Sequence, residues 1–321
     1  MSRFKFVTIP NYTTCQGKSY PGLKLTYEVF GKPLGTAPVV IINHALTGNS
    51  TVTGAAGWWN DIIGNDKLIN TNTYTILAFN VPGNGYDGST LENYRDFIAR
   101  DAARIFIEGI KILEIDQVFA VIGGSVGGGI AWEMAVLEPA LIKNLVPIAS
   151  DWKSTDWLIA NCRVQEQILN NSSQPLHDAR MHAMLCYRTH KSLEMKFGRS
   201  VNEEKGLFNV ETWLLHHGSK LQKRFQLAAY KLMNNLLRTI DITAERGNLT
   251  DVAKTITADI HMIGINSDIF FTPDENIETL TNIKQVKNNI TYSEINSIHG
   301  HDAFLIEYKQ LEKILSNIFE T

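Results

Sequence analysis

The chain has 321 residues, 44% of them hydrophobic and 20% charged, with 30 Lys and Arg against 33 Asp and Glu for a formal net charge of −3. This is an ordinary globular mixture, enough for one large or two small domains, and it excludes disordered, collagen-like and low-complexity readings. The near balance of charge, with no dense basic run, argues against a nucleic-acid surface, and no apolar run approaches the roughly 20 residues that span a bilayer.

The first 150 residues alternate between strand and helix patterns. LKLTYEVFG (23–31) alternates as a half-buried strand. APVVIINHALTG (37–48) and TYTILAFNVPGNGYDGS (73–89) are short continuous apolar runs that end in loop residues, the form of strands covered on both faces. DFIARDAARIFIEGIKILEI (96–115) has helical spacing. DQVFAVIGGSVGGGIAWEMAVLEP (116–139) reads as strand, tight turn and helix, and KNLVPIAS (143–150) as another buried strand. Such alternation predicts a mostly parallel sheet with helices on both faces. From Asp151 the β-branched runs stop and long amphipathic stretches take over for about a hundred residues. Strand patterns resume at ADIHMIGINSD (258–268) and NITYSEINSIHGHD (289–302), and AFLIEYKQLEKILSNIFE closes the chain as a helix. The economical reading is an α/β core at 1–151 and 251–321, with a helical insertion at 152–250. Three widely spaced cysteines (Cys15, Cys162, Cys186) suit reduced thiols. With no long apolar segment near the amino terminus, a cytoplasmic location is the expectation.

The sharpest local feature is Gly123-Gly124-Ser125-Val126-Gly127-Gly128, a G-x-S-x-G pattern set where a strand meets a helix. That turn strains the backbone of its central residue and exposes the side chain at a helix N-terminus, where developing negative charge is favoured. A phosphate-binding turn is the competing reading, but the chain carries no G-x-x-x-x-G-K-[ST]. Ser125 is therefore the candidate nucleophile. A serine hydroxyl needs a base, and the base an orienting carboxylate, in the chain order serine, acid, histidine. Asp268 follows the penultimate strand and suits the acid. The base falls in the loop after the last strand, where spacing leaves His299 and His301 open. Backbone N–H groups of Val126 and of Leu46, in the loop Asn43–Gly48, are the candidate oxyanion donors. His44 is expected to pack and hydrogen-bond in support of that loop. No metal-ligand spacing is present: His216 and His217 are adjacent and diverge on a helix.

HALTGNSTVTGAAGWWNDIIG, GGSVGG and HGHDAFL, with the insertion stretches YRTHKSLEMKFGR and NVETWLLHHGSKLQKRFQLAAY, resemble the homoserine O-acetyltransferase family of α/β-hydrolase-fold acyltransferases. The resemblance implies an α/β-hydrolase fold whose insertion is a lid, and acetyl transfer from the co-substrate acetyl-CoA to homoserine in methionine biosynthesis, with no bound cofactor or metal. It picks His301 as the base, in Gly-His-Asp-Ala-Phe. It implies that Asp302 meets the substrate ammonium, that Arg224 and Tyr230 hold its carboxylate, and that the protein is a homodimer. The alternatives are an esterase or thioesterase acting on small acyl esters and, from another class, a non-catalytic binding protein on the same scaffold.

Overall fold

A computed structural model of the chain describes residues 4–319. Within them lies an eight-stranded sheet. Its strands, numbered along the chain, are β1 (Lys5–Thr13), β2 (Ser19–Gly31), β3 (Val39–Asn43), β4 (Thr75–Phe79), β5 (Val118–Gly124), β6 (Ile142–Ile148), β7 (Asp259–Ile265) and β8 (Ile290–Ile295), in the order β1-β2-β4-β3-β5-β6-β7-β8. β1 and β2 pair antiparallel, as do β2 and β4; the other neighbours are parallel. Every residue of β3 and β4 is buried, as the continuous apolar runs require. Successive residues feed opposite layers: Val39 and Ile41 join one core, Val40 and Ile42 the other. Helices α1 (Ala99–Ile112) and α2 (Val126–Leu137) build the first layer, and α10 (Tyr308–Phe319) builds the second with Trp59, Ile62 and Ile69.

Two features depart from the sequence expectation. β1 does not show in the sequence pattern, because only Ile9 and Tyr12 of its residues are buried and its pattern is that of an edge strand. Its neighbourhood is fixed by Asp101 in the first turn of α1, whose carboxylate accepts hydrogen bonds from the Tyr12 hydroxyl (2.7 Å), the Cys15 N–H (2.8 Å) and the Ile98 N–H (3.0 Å). The closing helix begins only at Tyr308; Gly300–Leu305 is a tight 3₁₀ turn.

The insertion holds α3 (Asp156–Asn171), α4 (Pro175–Tyr187), α5 (His190–Phe197), α6 (Asn209–Arg224) and α7 (Leu227–Arg238). Its two ends lie side by side: Ser154 N–H donates to Ile240 C=O (2.9 Å) and Ile242 N–H to Trp152 C=O (3.2 Å). The neck thus closes at 152–242. α8 (Leu249–Thr255), inside the expected 152–250, packs on α2 and on α9 (Pro273–Lys284) of the core. Among the described residues no helix is long and apolar enough to cross a membrane.

Candidate active site

Ser125 sits between β5 and α2 with φ 56° and ψ −126°, a strained left-handed conformation for a residue with a Cβ. Its N–H donates to Ile148 C=O (2.9 Å), and its C=O accepts from Gly128 N–H (2.9 Å). The elbow is too tight for side chains beside it. A Cβ on Gly123 would lie 2.1 Å from the Gly127 carbonyl oxygen, and one on Gly127 would lie 2.5 Å from the Asn43 carbonyl oxygen.

The carboxyl edge of the sheet brings Ser125, His301 and Asp268 together. His301 Nε2 is 2.9 Å from Ser125 Oγ, and His301 Nδ1 is 2.7 Å from Asp268 Oδ2. The other Asp268 oxygen accepts from the N–H groups of Phe270 (2.7 Å) and Phe271 (3.2 Å). An ionised carboxylate only accepts, so the imidazole carries its proton on Nδ1 and turns the Nε2 lone pair to the serine hydroxyl. All three side chains are buried, and the rings of Phe270, Tyr187, Phe271 and Phe304 stand 5.1 to 6.0 Å from that of His301. The spacing ambiguity is thereby resolved geometrically: His299 faces Ser192 and Arg188 of the insertion instead.

Val126 opens α2, so its N–H has no partner within the helix. Leu46 is the second residue of a turn closed by Gly48 N–H to Ala45 C=O (2.9 Å), which leaves its own N–H outside the turn. His44 braces this loop. Its Nε2 accepts from Val81 N–H (3.2 Å), so the proton lies on Nδ1, which donates to Ala45 C=O (2.8 Å). Burial pushes its pKa down to about 4, so the ring stays neutral. Asn84, in the loop after β4, also reaches His44 Nε2 (3.2 Å).

The expected substrate-binding residues separate. Tyr230 is 1% exposed and its hydroxyl reaches Gln165 Oε1 at 3.4 Å; with Leu46, Cys186, Tyr187 and Phe270 it lines a cavity of about 10 Å³. Arg224 lines a different cleft, of about 140 Å³, with Thr47, Asn84, Tyr86 and Phe225, and its Nη1 donates to Thr47 C=O (3.0 Å). The amphipathic stretch that holds α6 and α7 breaks at Phe225, whose backbone is extended, and the break places Arg224 over the loop that carries Leu46. A residue the sequence reading missed is Arg180 on α4. Its guanidinium lies 5.6 Å from the Tyr187 ring centre and its charge acts on Asp302, Tyr187 and Tyr230. The signal was helical spacing: Arg180, Ala183, Met184 and Tyr187 share one face of α4. Burial raises the Asp302 carboxyl above the ordinary range, while Arg180, His301 and Arg188 pull it back. Among the described residues no group of three or more His, Cys, Asp or Glu is placed to hold a metal ion.

The Thr47 contact has a consequence for Arg224→Ala. Removing a charged donor from the loop of Leu46, the candidate oxyanion donor, is expected to loosen that loop, so that acylation and deacylation of Ser125 both slow, each by about tenfold. Stopped-flow release of thiol from an acyl thioester, compared with overall transfer, checks this. A normal burst with a weakened acceptor alone would place Arg224 on the acceptor instead.

A model of the alpha/beta hydrolase fold matches residues 38–172. A homoserine O-acetyltransferase of Cyclobacterium marinum is 32% identical over 94% of this chain and 91% of its own, and one of Carboxydothermus hydrogenoformans is 29% identical over 98% and 94%. Among solved structures, esterase E22 superimposes with a TM-score of 0.87 at 18% identity, covering 98% of this chain and 99% of its own. The homoserine O-acetyltransferase of Bacillus anthracis gives 0.85 at 20%, covering 100% and 98%. Those two structures speak for the fold alone. Sequence identity sustained along nearly the whole of both chains is more than a common scaffold leaves behind, and on it the chain belongs to the homoserine O-acetyltransferase family of α/β-hydrolase-fold acyltransferases.

Proposed function

We propose that the protein transfers an acetyl group from acetyl-CoA to the hydroxyl of L-homoserine through an acetyl-Ser125 intermediate. The observation that carries this reading is the hydrogen-bonded series Asp268, His301, Ser125, buried under an inserted lid. His301 Nε2 takes the Ser125 proton as Oγ attacks the thioester carbonyl. The N–H groups of Leu46 and Val126 receive the oxyanion. Collapse expels the CoA thiolate, which the His301 proton neutralises. The homoserine hydroxyl then gives its proton to His301 and attacks acetyl-Ser125, and the serine regains its proton as O-acetylhomoserine leaves. The aromatic rings about His301 support transfer over hydrolysis by keeping water from the acyl-enzyme.

A zwitterionic acceptor in a dry cleft needs one carboxylate and one guanidinium. We assign the ammonium to Asp302 and the carboxylate to Arg180, whose charge bears on Asp302, and give Arg224 the oxyanion loop and Tyr230 the packing beside Leu46. The homodimer belongs to this reading as well, supported by Met195, Val201, Phe208 and Leu215 exposed on the lid. A cytoplasmic location does too, supported by three cysteines that form no disulfide. The test is release of CoA from acetyl-CoA and succinyl-CoA against a panel of hydroxy amino acids. Acetyl-CoA turnover that needs homoserine is expected. Acetate released at one rate with and without homoserine would make the protein a thioesterase.

A further inference from the structure

We propose that Arg188 is a positioning residue for the transfer: held between His299 and Ser192, it fixes the Asp302 carboxylate that receives the acceptor ammonium, and protonation of His299 undoes the hold. The inference rests on the acceptor role given to Asp302 above.

The corner between α4 and α5 lies against the loop that carries the catalytic histidine. Arg188 ends α4, and Thr189 caps α5 by accepting from Ser192 N–H (3.1 Å). The Thr189 hydroxyl also donates to Ile298 C=O. Gly300 approaches so closely that a Cβ there would lie 2.9 Å from the Tyr187 carbonyl oxygen. Inside this corner the Arg188 guanidinium gives Nη2 to Ser192 Oγ (2.8 Å) and to His299 Nδ1 (3.1 Å), and Nε to Ser192 Oγ (3.3 Å). Its Nη1 stands 3.9 Å from Asp302 Oδ2. The Arg188 side chain is 12% exposed and that of Asp302 22%, so the pair is shielded from water.

The donor inventory fixes the state of His299. A guanidinium only donates, so His299 Nδ1 must offer its lone pair and the ring is neutral. Ser192 Oγ, accepting from Arg188, has its own hydrogen free for the same Nδ1 at 3.0 Å. Protonation of Nδ1 removes the acceptor and sets a second cation against the guanidinium. The charged groups facing His299 are Arg188 and Lys196 from the insertion and Asp302 and Glu307 from its own loop and the chain beyond. Burial first, then Arg188, holds the ring below the ordinary histidine pKa, with Glu307 and Asp302 opposing. A lowered folded pKa means the hold is complete above the ordinary value of about 6.5 and is lost as pH falls through the folded one.

Two measurements test this. Homoserine KM and the CoA burst are followed from pH 5.5 to 8.5 in the wild type, Arg188→Met, Arg188→Lys and His299→Asn, which keeps an acceptor that cannot be protonated. Arg188→Met raises KM about tenfold or more with the burst nearly unchanged, and Arg188→Lys recovers part of the loss. The wild-type KM is flat above the ordinary histidine value of about 6.5 and climbs as pH falls through the lowered His299 pKa, whereas that of His299→Asn stays flat. A burst reduced as far as transfer, or a His299→Asn profile that follows the wild type, overturns the proposal. Independently, NMR titration of the His299 ring reports its pKa with no substrate present. It rises in Arg188→Met if the contact is made, and an unchanged value overturns the proposal. Failure of the homoserine reading itself shows instead as a wild type that transfers nothing to homoserine while the His299 shift persists; Arg188 then loses its acceptor role.

Discussion

Ser125→Ala lowers turnover by roughly 10³- to 10⁶-fold while the protein melts as the wild type does. The asymmetry follows from what Ser125 does and does not do in the fold. It occupies the cap of α2, yet its side chain makes no capping bond, and alanine meets the same penalty at φ 56° as serine does. The hydroxyl is committed to His301 Nε2, so its loss is a loss of chemistry. His301→Ala falls to a similar level, and the double variant is little worse than either, because residues that act as one unit do not lose activity additively. His299→Ala leaves the serine labile to fluorophosphonate, since that ring faces Ser192 and Arg188. Steady-state rates with thermal melts check all four variants. Retention of more than a tenth of wild-type activity by Ser125→Ala would remove the serine from the nucleophile role.

The second large effect is expected at a residue with no side chain. Gly127→Ala sets a Cβ 2.5 Å from the Asn43 carbonyl oxygen and 2.8 Å from that of His44. Both are backbone atoms, so no rotamer can relieve the clash; α2 and the loop after β3 must part. Overpacking of this kind costs about 1–3 kcal/mol, a drop of several degrees in Tm for a chain of this size. The displacement falls between the two backbone groups assigned to the oxyanion, Leu46 on one side and Val126 on the other. A misplacement of about 1 Å there costs on the order of 100-fold in kcat. Gly64→Ala, whose added Cβ meets nothing nearer than the flexible Lys67 side chain at 3.2 Å and lies 3.9 Å from the Thr53 hydroxyl, is the control. A Gly127→Ala protein with the melting point and kcat of the wild type would show that the loop and helix are not packed as described.

The parts of this site that could be read from sequence are those dictated by local rules. Buried runs flanked by glycine loops marked β3, β4 and β5, and the elbow announced Ser125 through its neighbours. Asp268 and the final histidine pair followed from chain order. His299 and His301 could not be told apart by spacing, because both lie in one turn and only the lid's approach to that turn decides which ring looks inward. Arg180 is hidden for a related reason: which face of α4 meets the catalytic edge depends on how five helices dock, and Arg180 has no motif of its own. The break at Phe225 carries no glycine or proline, so the amphipathic pattern from Val210 to Asp241 does not mark where α6 ends and α7 begins. β1 hides behind its exposed residues, since an edge strand buries too little to show a pattern.

The neck of the insertion, where Trp152 and Ser154 run beside Ile240 and Ile242, bears on how such an enzyme can change its substrate over evolutionary time. A segment that leaves and re-enters the sheet at adjacent points behaves as a cassette. It can grow, shrink or be exchanged without altering strand order or the turn that carries Ser125. The residues that form and break the acyl bond, with Asp302 beside them, are thus inherited from the sequence flanking the insertion, and Arg180 and the rest of the acceptor's surroundings from the insertion itself. Lineages can drift in the second while selection holds the first fixed, which lets one sheet serve transferases and esterases alike.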